Sequence, residues 1–124
     1  MELAFYGSFA NSQSDELRLR RPAATQLLLD RLAATNPASG EIQFFQGELY
    51  RLRAEKGDDA RAIAAYERAI GTGDAPAETY RSLGLVLMTV RETARARTAL
   101  DRYLELRPDA TDREMIRDYV KRLE

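Results

Sequence analysis

Chemistry in this chain would have to come from carboxylates and arginines, because the sequence contains neither histidine nor cysteine. Without imidazole, the commonest general base and the commonest metal ligand are both missing. Without thiols there is no disulfide, no thiolate nucleophile and no cysteine-ligated metal, and the redox compartment cannot be read. The nearest approaches to a paired-acid site are Asp58-Asp59 and Asp109/Asp112. Such pairs could hold a metal ion or serve in acid catalysis. Both fall at predicted helix starts, where acids cap free N–H groups and face the positive end of the helix dipole. Arg18, Arg20 and Arg21 form a small basic cluster, suited to an anion or, more plainly, to a solvated face with salt bridges to a partner. No phosphate-cradling glycine loop, zinc-ligand pair or nucleophile–base pair occurs. The expectation is a protein with no catalytic residues, no metal and no cofactor.

Composition narrows the partners. Nineteen basic and twenty acidic residues leave a formal net charge of −1 among 124 residues, which lacks the electrostatic footprint of a general nucleic-acid binder. Only Lys56 and Lys121 are lysine; the remaining basic residues are arginines, good helix formers whose stems cover apolar surface. No apolar run of about 18 residues suggests a membrane span. The start, Met1 to Gly7, lacks the basic and apolar blocks of a signal peptide, and Leu123-Glu124 matches a cloning remnant, so both residues stay outside the functional argument. No localisation follows.

The elements that would position any site are helical. Behind Pro22, Ala24, Leu27, Leu28 and Leu32 fall on one helical face, and Asn36-Pro37 ends that helix. Ser39 is placed to cap a second helix from about Glu41 to Glu55, with Ile42, Phe45, Leu49 and Leu52 inward. Lys56-Gly57-Asp58 is a turn in which Asp58 can cap a third helix running to Ile70, with Ala62, Ile63, Tyr66, Ala69 and Ile70 on one side. Pro76 opens a fourth helix, whose Tyr80, Leu83, Gly84, Leu87 and Val90 point inward. A fifth, Glu92 to Leu106, carries Ala96, Leu100, Tyr103 and Leu104 on one face and stops at Pro108. Thr111-Asp112-Arg113-Glu114 reads as a capping box, followed by a stripe of Met115, Ile116, Tyr119 and Val120. Within residues 1–21, Leu3, Phe5, Tyr6 and Phe9 suggest a helix over part of the segment. No strand alternation or hairpin signal competes, so the fold class is all-α, built from antiparallel helix hairpins.

The chain also repeats itself. Gly47-Glu48-Leu49-Tyr50 superimposes on Gly84-Leu85-Val86-Leu87, and Ala62 to Ala69 superimposes on Ala96 to Tyr103 at a spacing of 34 residues (96 − 62). In residues 77–110, Tyr80, Leu83-Gly84, Leu87, Ala96, Leu100, Tyr103 and Pro108 set small and large side chains at the spacings of the tetratricopeptide repeat, whose period is about 34 residues. The chain resembles that family over about residues 22–110. Residues 22–39 correspond to a partial repeat, 40–76 and 77–110 to two repeats, and 111–122 to a terminal capping helix, within a single domain spanning 1–124. Gly47 and Ala62 are 15 apart against 12 for Gly84 and Ala96, so three extra residues, close to one helical turn, must lengthen the first helix or its turn in the first repeat. Gln43 and Gln46 also stand where the family usually places large apolar residues.

The resemblance implies a right-handed helix-hairpin solenoid of about six helices and a concave groove lined by the first helix of each pair. Carried over to this sequence, the groove positions are Glu41, Phe44, Glu48 and Arg51, then Arg81, Leu85, Met88 and Thr89. Phe44, Leu85 and Met88 lie off the predicted inward stripes, which independently suggests a contact surface. The implied function is a scaffold that binds a mixed acidic and apolar segment of another protein or peptide, with Arg81 and Met88 contributing to capture but not to thermal stability. These positions could equally contact an adjoining segment or a second copy. The family's terminal-carboxylate clamp is not expected: the asparagines are only Asn11 and Asn36, and neither lysine lies on a first helix. The layout is also loosely similar to repeat regions that follow bacterial zinc-metallopeptidase domains, which would make the chain an accessory part of a larger enzyme. Terminal units of a solenoid need covering. At the N-terminal end this points to residues 1–21, a homodimer contact or an upstream segment.

Overall fold

The computed structural model describes residues 24–124. Among these residues the chain is all helical, with no strand. Six helices follow one another: α1 (24–35), α2 (Gly40–Arg53), α3 (Asp58–Gly71), α4 (Glu78–Thr89), α5 (Thr93–Leu106) and α6 (Arg113–Arg122). The helix expected within residues 1–21 lies outside the described residues.

Helices α2 and α3 form one antiparallel hairpin and α4 and α5 a second, while α3 packs on α4 and α5 on α6. The only approach between helices not adjacent in sequence, among α2 to α6, is between α2 and α4. That layout is a stack of hairpins, not a closed bundle.

Two glycines set how closely each hairpin can close. A Cβ on Gly47 would stand 2.5 Å from Cε1 of Tyr66, and one on Gly84 would stand 2.5 Å from Cδ2 of Leu100. Only a residue without a side chain lets these helix pairs approach so closely. The buried apolar residues of α3, Ala62, Ala65, Tyr66 and Ala69, have counterparts 34 positions later in α5, where Ala96, Ala99, Leu100 and Tyr103 are buried. The insertion in the first hairpin is spread out: one more residue between Gly47 and the end of α2, one in the turn and one before Ala62.

One core runs from Phe44 through Tyr66, Leu83, Val86 and Leu87 to Ala96 and Ala99. A second joins Leu100 and Tyr103 to Ile116 and Val120, which seats α6 as the last layer. Leu123 packs against both cores and belongs to the folded structure.

Several expected faces turn out differently. On α2 the stripe Ile42, Phe45, Leu49 and Leu52 points away from the core, with Phe45 45% and Leu52 68% exposed. The inward face is Gln43, Phe44, Gln46 and Gly47, because Gly47 must meet Tyr66. On α1 the leucines Leu27, Leu28 and Leu32 are exposed, as is Ala24, whereas Gln26 and Ala33 are buried. Asp30 accepts hydrogen bonds from Nε2 of Gln46 (2.6 Å) and from the hydroxyl of Tyr50 (3.2 Å), so α1 meets α2 through polar groups. Val90 and Met115 are also exposed, and the buried face of α4 instead includes Thr79, Ser82 and Val86, which lie toward α2 and α3.

Ser39 caps α2 as expected, accepting from the backbone N–H of Ile42 at 3.2 Å. The other two predicted caps are not formed. Gly57, at φ 85°, is the N-cap of α3. Asp58 is fully buried inside the turn, where Arg53 donates to both its oxygens (2.7 and 2.8 Å) and Arg61 and the Glu55 N–H add 3.0 Å bonds. The Thr111 capping box is likewise absent, since α6 begins at Arg113 with Asp112 as an N-cap that makes no side-chain cap bond. The Asp112 carboxylate is drawn away by Arg81 and by the hydroxyl of Tyr103, which donates at 2.8 Å.

Candidate functional site

The face predicted to bind a partner is built from α2 and α4, the first helices of the two hairpins. On α4 the backbone carries Arg81, Leu85, Met88 and Thr89 at i, i+4, i+7 and i+8, one side of a helix. On α2, Glu41, Phe44, Glu48 and Arg51 follow the same rule. The two helices approach each other.

The eight positions are not alike. Glu41 and Thr89 are exposed, and Glu48, Arg51, Arg81, Leu85 and Met88 are half-buried. Phe44 corrects the expected groove: it is a core residue, 9% exposed, with its ring 6.2 Å from that of Tyr66. The same rotation of α2 that turns Phe45 outward brings Phe44 in. Met88 packs partly against both cores, and Arg81 ties α4 to the start of α6 through Asp112. These two are therefore structural as well as surface residues, and replacing them is expected to lower stability, contrary to the expectation from sequence.

A polar network crosses the middle of this face. Tyr66 on α3 donates its hydroxyl to Oε1 of Glu48 at 2.6 Å, and Arg51 donates to both Glu48 oxygens at 3.3 and 3.2 Å. Burial raises the Glu48 carboxyl, but hydrogen bonds from Arg51, Ser82 and Tyr66 together outweigh it and leave the group below its ordinary value. Ser82 belongs to α4, so Glu48 joins three helices. Burial and the neighbouring Glu48 carboxylate push the Tyr66 hydroxyl well above the usual phenol range. Asp112 is similar: burial raises it, and Arg81 and Tyr103 bring it below the ordinary carboxylate.

These charged groups are locked into pairs, and none is poised to exchange a proton near neutrality. Asp58 has its carboxyl held far below the usual range, first by Arg53, against the opposing effect of burial. Asp58 and Asp112 are each committed to arginine and other donors, and no group of three or more acids fit for a metal ion occurs among the described residues. No helix among them is long and apolar enough to cross a membrane. Arg18, Arg20 and Arg21 lie outside the described residues.

Two clefts flank the stack, and sequence reasoning missed both. The first, about 340 Å³, is lined by Asp30, Ala33, Gln43, Gln46 and Arg68, with α1 as one wall. Arg68 reaches in from α3 and donates to Oε1 of Gln43 (3.1 Å) and of Gln46 (3.0 Å), satisfying two buried amides. The second, about 460 Å³, is lined by Tyr80, Leu83, Leu87, Arg95, Thr98 and Arg102 among others. Tyr80 and Leu83 lie 37 positions after Gln43 and Gln46, and Arg102 lies 34 after Arg68, so the clefts occupy equivalent places in successive hairpins. The 34-residue recurrence of arginine was the signal in the sequence that could have found them. No protein-family model and no curated protein matches the chain.

Proposed function

We propose that the chain is a tetratricopeptide-type interaction module that binds a segment of another protein along the α2–α4 face and performs no catalysis of its own. The observation that carries this reading is the recurrence of the hairpin itself: a glycine seated against a large side chain, and four buried positions repeated at an offset of 34. Repeats of this kind stack into an extended surface, and extended surfaces suit elongated ligands. Leu85 and Thr89 provide an accessible apolar and hydroxyl strip, with Glu41 and the Glu48–Arg51 pair opposite. Such a mixture fits a protein segment that is part apolar and part charged.

The test is to pan a displayed random-peptide library on the purified chain and to measure the selected peptides against Leu85→Lys/Thr89→Lys. Loss of binding with an unchanged melting temperature supports the assignment. Undiminished binding by a properly folded variant refutes it.

A second contact has its own support. Leu27, Leu28 and Leu32 on α1, with Phe45 and Leu52 on α2, leave large apolar side chains exposed at the N-terminal end of the stack. Exposed apolar side chains gathered at one end mark association sites, and self-association through this end is the reading they favour.

A further inference from the structure

The first helix of each hairpin carries one four-place pattern. Gln43, Gln46, Gly47 and Tyr50 on α2 return 37 positions later (80 − 43) as Tyr80, Leu83, Gly84 and Leu87 on α4. The same step backwards (43 − 6) lands on Tyr6, Phe9, Ala10 and Gln13, which precede the described residues. Ala10 is small at the place where Gly47 and Gly84 admit Tyr66 and Leu100.

Helix α1 stands where the second helix of such a hairpin stands. It meets α2, the first helix of the next hairpin, as α3 meets α4. Its buried residues Gln26 and Ala33 are seven apart, like Ala62 and Ala69 of α3. That register puts Leu29 at the place of Ala65 and Leu32 at the place of Arg68. Ala65 is fully buried, whereas Leu29 is half-buried and Leu32 is 37% exposed. Among the described residues no first helix precedes α1 to cover that side.

The matched positions change together. Arg68 donates to the two glutamines, and Arg102 lies over the Tyr80 ring, its guanidinium carbon 5.9 Å from the ring centre. In α1 the cation gives way to Leu32, and the residues 37 places before Gln43 and Gln46 are aromatic. A leucine offers no hydrogen bond, and apolar cover is what stabilises it.

We infer that residues 6–13 of this chain seat on α1, with Tyr6 and Phe9 covering Leu29 and Leu32, and complete a further hairpin. Ten residues separate Gln13 from Ala24, against seven between Tyr50 and Asp58 and five between Leu87 and Thr93. At about 3.3 Å per residue such a connection spans about 30 Å, enough to reverse direction and return along α1. The tether also selects this occupant over a separate peptide, because it holds the segment at an effective concentration of about millimolar. Leu27, Leu28, Phe45 and Leu52 stay uncovered and are left for the self-association proposed above.

The isotopically labelled full chain provides the test through nuclear Overhauser effects. Ring protons of Tyr6 or Phe9 should show contacts with the methyl groups of Leu29 or Leu32. In an equimolar mixture of labelled and unlabelled chain, an isotope-filtered spectrum should lack these contacts, since they arise within one molecule. Tyr6→Ser/Phe9→Ser should shift the amide signals of Leu29 and Leu32 and leave those of Leu85 and Thr89 in place. Absence of contacts from both rings, contacts found only between copies, or unmoved α1 signals in the double variant overturns the inference.

Discussion

Placing a single methyl group on Gly84 tests whether the hairpins close as tightly as the structure requires. Gly84→Ala would put Cβ 2.5 Å from Cδ2 and 2.6 Å from Cγ of Leu100, and 3.3 Å from the Ala96 carbonyl oxygen. Carbon atoms pack best at about 3.5–4.0 Å, so the methyl is about 1 Å too close. Leu100 has no accessible surface and is held by Tyr103, Ile116 and Val120, which leaves it little room to retreat. Overpacking of this kind costs about 1–3 kcal/mol. Alanine returns about 1 kcal/mol through better helix propensity, so the net loss should be up to about 2 kcal/mol. With an unfolding entropy of ~2.1 cal/mol/K per residue, each kcal/mol shifts the melting temperature by about 4 °C in a chain of 124 residues. Gly84→Ala should therefore melt up to about 8 °C lower by calorimetry or thermal circular dichroism. Gly71→Ala is the control, because a Cβ there meets nothing within 4 Å; it should gain about 0.5–1 kcal/mol from helix propensity alone. Leu100→Ala alone should cost about 2–5 kcal/mol. The double variant should cost at least about 1 kcal/mol less than the sum, since each change relieves the other. A Gly84→Ala protein stabilised as much as Gly71→Ala, or additive behaviour in the cycle, would refute the close approach.

Other outcomes follow from the same structure. Asp58→Ala removes the buried acceptor of Arg53, Arg61 and the Glu55 N–H and should cost about 2–3 kcal/mol in denaturant unfolding. Arg91 sits at φ 64° in the α4–α5 turn, so Arg91→Gly should stabilise by about 1 kcal/mol by relieving a left-handed conformation, readable as a higher melting temperature. Asp58, Glu48 and Asp112 all have carboxyl groups held below their ordinary values. A depressed carboxyl stabilises the fold above its unfolded pKa, and that contribution disappears as pH falls through the folded value. Melting temperature should thus be nearly flat from about pH 5 to 8, where no histidine titrates, and drop below about pH 4. Leu28→Lys/Phe45→Lys should lower the mass of the chain by sedimentation or light scattering at micromolar concentration, whereas an unchanged mass would remove the proposed self-association.

How far the fold could be read in the sequence depended on how many faces each helix offered. Helices α3 and α5 each carry one stripe that mixes alanines with one or two large residues, so their inward sides were plain. Helix α2 carries two candidate stripes, one through Phe44 and Gly47 and one through Phe45 and Leu52, and periodicity cannot choose between them. The choice is made by packing, because only Gly47 can lie against Tyr66. The buried glutamines Gln43 and Gln46 obscured this further. An apolar pattern treats such residues as exposed, yet Arg68, 22 and more positions away, satisfies them. Asp112 failed as part of a cap for a similar reason: Arg81 and Tyr103 lie beyond any local motif. Of the residues read as groove positions, Glu41 and Thr89 are exposed and Leu85, Glu48 and Arg51 are half-buried. Phe44 was misplaced by the wrong rotation of α2. Arg81 and Met88 were misread as free, because their tertiary partners are contributed by α6 and by both cores.

The most direct measurement places a photoreactive amino acid at Leu85, with Asp118 on the exposed side of α6 as control, and irradiates the protein in its source cells. A discrete protein adduct at position 85, absent at 118 and lost when Thr89→Lys is added, is the predicted result. Equal labelling at both positions, or none at 85 in a folded protein, would contradict partner binding along the α2–α4 face.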